Sequence, residues 1–248
     1  MTKRRYRGLF LAVLALLVVA SAAQAADSVL SRWRQRQEFK DEENRLEVEA
    51  TYYASEYIEA LVRAEAEKNL WTQDEAEQYK YELLRSLRLD EYIPVLIRFN
   101  NFGPSMHLAP FDSMLTLWAG KKKLAPADYD KRFNFRLQGE REGLIFFPRY
   151  DDKGKPNLQG GKTAKLSMSS AVSSVTMRRA SIDFVWDVGN DNPEALTAGR
   201  AAEKLELDRL IKRSAQLNED KRRLEGELQA VTDELATISA RIEELQGK

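Results

Sequence analysis

Residues 182–188 read Ile182-Asp183-Phe184-Val185-Trp186-Asp187-Val188, and residues 133–137 read Phe133-Asn134-Phe135-Arg136-Leu137. In both, the apolar side chains fall mainly on alternate positions. Successive side chains of a strand point to opposite faces, so this period marks a strand with one face buried. The second of these runs extends over 132–137, and similar short runs cover 95–99, 114–118, 144–147, 164–168 and 172–177. Turn signals separate them: Asn101-Phe102-Gly103-Pro104, Ala119-Gly120-Lys121, Gln138-Gly139 and Asp151-Asp152-Lys153-Gly154. Seven short strands within residues 92–190 predict an antiparallel β-sandwich of immunoglobulin-like kind. A small barrel is the alternative, and pattern alone does not separate the two. Phe99, Phe102, Trp118, Phe133, Phe135, Phe146, Phe147, Phe184 and Trp186 are its expected core, with Trp118, beside a turn, the best candidate for an exposed aromatic.

On the N-terminal side, residues 26–91 read as a helical segment. No Gly or Pro occurs from Asp27 to Tyr92, and good helix formers dominate. Leu46, Ala50, Tyr53, Tyr57, Ala60 and Ala64 step by three and four, which is one face of an amphipathic helix. Residues 34–45 are almost wholly polar, Phe39 excepted, and read as a solvated or fraying first part. A break is expected near Asn69. Thr72-Gln73-Asp74-Glu75 has capping-box spacing, so a second helix should run from Gln73 to about Leu89, burying Tyr79, Leu83, Leu84 and Leu87.

On the C-terminal side, residues 191–248 read as a coiled-coil helix. Asn192-Pro193-Glu194 is a start signal, with a capping side chain, Pro at the first helical position and an acid in the first turn. A heptad frame holds for six repeats. The a positions are Leu207, Ser214, Lys221, Leu228, Leu235 and Ile242, and the d positions are Leu210, Leu217, Leu224, Val231, Ile238 and Leu245. The predicted seam is therefore Leu207, Leu210, Leu217, Leu224, Leu228, Val231, Leu235, Ile238, Ile242 and Leu245. A 3.5-residue period wraps a seam around a partner helix, either another part of this chain (residues 45–90) or a second chain. The two polar a positions weaken the seam locally and constrain register.

Residues 1–25 read as an address. Lys3, Arg4, Arg5 and Arg7 precede an apolar run through Ala20, and Ala23-Gln24-Ala25 has the small–x–small form that a signal peptidase cuts. The run is short for a spanning helix, so cleavage is expected in preference to a retained anchor. The expected location is therefore the bacterial periplasm or the exterior, with no transmembrane span after cleavage.

The 248 residues hold 39 basic and 39 acidic side chains, one His and no Cys. Absent Cys removes disulfide scaffolds, thiol catalysis and Cys-ligated metals, and a lone His107 removes multi-His metal sites within one chain. The balanced total gives no nucleic-acid footprint. The charge is nonetheless uneven: net −7 over 26–91, net +6 over 92–190 and net −3 over 191–248. Lys121, Lys122, Lys123, Arg178 and Arg179 are the basic runs of the middle segment. They are candidate contacts for an anionic envelope component, set against a solvated-edge role in which Lys blocks sheet-to-sheet aggregation.

Signatures of chemistry are weak. Gly160-Gly161-Lys162-Thr163 resembles the end of a phosphate loop, but Pro156 stands where the first Gly belongs and a strand-like run follows. His107 lies near Ser105 and Asp112, yet no nucleophile elbow surrounds Ser105. Asp128, Asp130, Asp151 and Asp152 are loop carboxylates of the kind that hydrolyse glycosides or hold calcium, but no spaced calcium loop occurs. No catalytic, cofactor-binding or metal-ligating residue is nominated. The function class favoured is an exported non-enzymatic scaffold or adaptor of the cell envelope, binding through its β-module and self-assembling or docking on a protein through its coiled coil. An envelope polysaccharide hydrolase using the loop carboxylates and a periplasmic chaperone or carrier are the alternatives.

Overall fold

A computed structural model describes residues 27–158, 160–197 and 199–247. The expected signal segment, residues 1–25, lies outside them. The described residues divide into two compact units, one ending at Ala201 and one beginning at Ala202. It is an α+β protein with two antiparallel sheets and one long C-terminal helix.

In the first unit, residues 27–33 are helical (α1). Strands β1 (Arg34–Lys40) and β2 (Arg45–Tyr52) follow, then helices α2 (Ser55–Asn69) and α3 (Gln73–Leu87). The remaining strands are β3 (Tyr92–Met106), β4 (Leu115–Ala119), β5 (Lys122–Leu124), β6 (Asp128–Tyr129), β7 (Leu137–Pro148), β8 (Thr163–Ser169) and β9 (Ser181–Asp187). One sheet has the order β1-β2-β3-β7-β6 and the other β5-β4-β8-β9. Their inward residues share one apolar core. Val48, Ile97 and Ile145 come from the first sheet and Leu117, Leu166 and Phe184 from the second. Phe111 and Phe133, on 3-10 turns, stack at 4.4 Å inside it. Gly143 in β7 is where the 130–134 turn crosses the strand. A Cβ there would meet the Asp130 Cβ at 2.7 Å and the Phe133 ring at 2.8 Å.

Residues 34–52 correct the helical reading of 26–91. In Leu46-Glu47-Val48-Glu49-Ala50-Thr51-Tyr52 the apolar residues alternate strictly, and Leu46, Val48, Ala50 and Tyr52 are buried. A spacing of four fits both periods, so Leu46 and Ala50 suit helix or strand; Val48 between them fits only the strand. β1 has almost no apolar signal because it is a sheet edge. Its outward side chains Arg34, Arg36, Glu38 and Lys40 are solvated, and Phe39 alone is deeply buried.

The helices that remain follow local chemistry. α2 ends at Asn69, where Leu70 takes a left-handed φ of 55°. Thr72 and Glu75 form the capping box at the start of α3, each side chain satisfying a free backbone N–H. Leu84 and Leu87 are buried as expected, whereas Tyr79 and Leu83 are only partly buried. Tyr81 and Lys80, the latter paired with Glu59 at 2.6 Å, take up buried positions of the helix instead. Two strand expectations fail. Residues 131–134 and 170–172 are 3-10 turns, and residues 174–178 form turns in which the Thr176 hydroxyl donates to the carbonyls of Ser170 and Ser173.

Candidate interaction surfaces

Helix α4 (Arg200–Gln246) forms the C-terminal unit from Ala202 onward. It begins later than the Asn192-Pro193-Glu194 signal predicts. Pro193–Thr197 is a 3-10 turn, and Gly199, at φ +98°, breaks the path before helix geometry resumes. The helix supports itself through pairs one turn apart, including Arg223–Glu227 at 3.0 Å and Lys221–Glu225 at 3.6 Å. Its heptad seam is exposed: Leu224 is 55% and Leu228 68% accessible, and Leu207, Leu210, Leu217, Val231, Leu235, Ile238, Ile242 and Leu245 are exposed as well. Ile211 widens the stripe at an e position. Each isolated apolar residue is ordinary on a surface. A continuous heptad row of them is a face that water solvates poorly.

The outer face of the five-stranded sheet is a lattice of ions. Pairing register sets Arg36 opposite Glu49, Glu49 opposite Arg98 and Arg98 opposite Glu142, so one row alternates in sign across four strands. Arg98 holds Glu142 at 2.5 Å and Glu140 at 3.3 Å. Glu47, nearly buried, takes Arg36 at 2.5 Å and also pairs with Arg45. Burial pushes the Glu47 carboxyl up, but the hydrogen bonds from Arg36 and Arg45 outweigh it and hold the group below its ordinary value. The hydrogen bond to Glu142 raises Arg98. A shallow groove lined by Arg36, Glu47, Glu49, Arg98, Asn100 and Glu140 runs over this lattice. Its three glutamates are paired with Arg36, Arg98 and the adjoining Arg45, which suits a solvated sheet face. A helical reading of residues 34–52 hides this lattice, and the alternation of Leu46 to Tyr52 is the signal in the sequence that reveals it.

The four-stranded sheet places the basic runs. Lys123 and Lys165 lie opposite Trp118 on its two neighbouring strands. Their ammonium groups sit 4.9 and 5.4 Å from its ring, and Trp118 is half-buried beneath them. Lys165 also reaches Asp183 at 3.4 Å. Lys121 is exposed at the β4–β5 turn, and Lys122 bonds Asp151 and Asn157, each at 3.3 Å. Arg178 and Arg179 stand before the other end of β9, about 20 Å along the strand. There the Arg179 guanidinium lies over Phe39 at 4.9 Å. The lysine run and the arginine pair are therefore not brought together. Among the described residues the most exposed aromatics are Phe135 at 67% and Phe102 at 55%, more open than Trp118, because both lie outside the regular strand alternation.

Three of the four loop carboxylates pair with a cation. Asp128 pairs with Arg88 at 3.2 Å, Asp130 with Arg132 at 2.5 Å and Asp151 with Lys122, while Asp152 is exposed. The Arg132 side chain holds Asp130 below the ordinary range, and the Lys155 backbone N–H does the same for Asp151. A general acid needs the opposite shift. His107 is exposed, its Nδ1 accepting from the Ala109 N–H at 3.3 Å. Thr163 opens β8, so Gly160-Gly161-Lys162 is the turn before a strand. Among the described residues no three His, Asp or Glu side chains group to hold a metal, and no helix is long and apolar enough to cross a membrane.

No family model, curated protein or solved structure matches this chain.

Proposed function

We propose that this chain is an exported, non-enzymatic scaffold or adaptor of the bacterial cell envelope. One observation carries the reading: a 47-residue helix, α4, whose heptad seam is exposed from Leu207 to Leu245. A seam of this length is stabilised only by burial against another helix. The β-unit is the binding module in this reading, and its finer architecture is an immunoglobulin-like sandwich. Two antiparallel sheets sharing one core support that assignment. The Lys121–Lys123 turn with the Lys123–Trp118–Lys165 row is its candidate contact for an anionic envelope component. Export rests on the signal-like residues 1–25.

Light scattering on the purified chain tests the assembly half. The expected mass is a multiple of the protomer, and Leu224→Asp in the full chain returns it to a single protomer. A wild-type chain that stays monomeric at tens of micromolar defeats the reading. Turnover of envelope polysaccharide by the purified protein, abolished by Asp128→Asn or Asp130→Asn, would replace it with the hydrolase.

A further inference from the structure

We infer that α4 pairs with a second copy of itself in antiparallel orientation, in the register that sets Leu224 opposite Leu228 of the other copy and Leu207 opposite Leu245. The inference rests on the assembly reading and adds to it a partner and a direction.

Three features of the helix point the same way. The first is charge order. Residues 200–223 carry eight basic and five acidic side chains, net +3, and residues 224–247 carry one basic and six acidic, net −5. Parallel pairing lays the acidic half against itself, whereas antiparallel pairing lays it against the basic half. The second is the seam. In a parallel pair, a faces a, so Lys221 meets Lys221 and Ser214 meets Ser214, and the flanking Asp220 meets Glu225. In the antiparallel register, a faces d. Lys221 then meets Val231 and Ser214 meets Ile238, so every layer has at least one apolar partner and no two like charges share one. The third is the helix dipole. A lone helix prefers acids at its N-terminus and bases at its C-terminus. Here the last turn has no basic residue and ends in Glu243 and Glu244, while the first half is basic. An antiparallel neighbour offsets both ends at once.

The chain has no Cys, so single thiols can be placed and spin-labelled cleanly. Lys212→Cys and Gln229→Cys lie away from the seam. In the inferred register the two labels at position 212 are offset by about 40 Å along the axis, and those at 229 by about 10 Å. In a parallel pair both offsets are zero. Dipolar spectroscopy on the full-length protein should therefore show a long distance at 212 and a short one at 229. Short distances at both positions overturn the orientation and leave self-assembly standing. A monomeric mass with no dipolar signal at either position overturns self-assembly itself.

Discussion

Asp191 satisfies three donors with one carboxylate. Its Oδ1 accepts from the Ser55 backbone N–H at 2.8 Å and the Ser55 hydroxyl at 2.9 Å, and its Oδ2 accepts from the Tyr52 hydroxyl at 3.1 Å. Ala54, at the N-cap of α2, has no side chain to do this, so a residue far along the chain serves as the cap. Asp191→Ala should destabilise the first unit by about 1–2 kcal/mol, read by chemical denaturation. Leu70 is the opposite case. It is 90% exposed and sits at φ 55°, where a Cβ is unfavourable. Leu70→Gly should raise stability by roughly 0.5–1 kcal/mol in the same measurement. Asp130 predicts a pH dependence. Its folded pKa is depressed by Arg132, so its contribution is present above the ordinary Asp value of about 3.9 and is lost as pH falls through the lower folded value. Its NMR titration midpoint should lie below that of an unfolded Asp. In Arg132→Ala the midpoint should rise.

At the scale of elements, the edge strand β1 shows how a polar segment earns a place in a sheet. Outwardly it pairs charges with β2. Inwardly its glutamines bind the edge of the other sheet: the Gln35 amide donates to the Val185 carbonyl at 2.5 Å and accepts from the Val185 N–H at 3.2 Å, and Gln37 donates to the Asp183 carbonyl at 2.7 Å. Each glutamine thus satisfies backbone groups of an edge strand that would otherwise face water or another chain. Beside them Tyr52 stacks on Trp33 at 5.4 Å and meets Trp186 in a tilted contact at 5.7 Å, and the Trp186 indole N–H donates to the Trp33 carbonyl. Replacing Gln35 by Ala should cost about 1 kcal/mol and speed hydrogen exchange at the Val185 amide ahead of the sheet interior.

For the whole molecule, the decisive quantity is the uneven charge along α4 together with its uncovered seam. An assembly held by basic halves against acidic halves weakens as salt screens them. From about 0.05 M to about 0.5 M salt, the dissociation constant measured by sedimentation should rise. A parallel pair, relieved of repulsion, would tighten instead. Leu224→Asp should weaken assembly by about 100-fold or more, because it buries a carboxylate in an apolar layer. The core of the other unit predicts a separate effect: Phe133→Ala should cost about 3–5 kcal/mol in unfolding and leave the assembled mass unchanged.

Patterns that one element imposes on itself were legible in the sequence. The heptads of α4, the capping box at Thr72, the break at Asn69 and the alternation of β9 all express a helix or strand period, or a bond between residues a few positions apart. What distant residues impose on one another was not legible. Nothing within residues 34–40 announces a strand, because β1 is held by β2 on one side and by the β9 backbone on the other. The exposure of Phe102 and Phe135 and the separation of the lysine run from the arginine pair likewise depend on which strands become neighbours. Local periodicity is written in consecutive residues, whereas an edge strand or a surface charge row exists only once sheet order has chosen its partners, and that choice belongs to the tertiary structure.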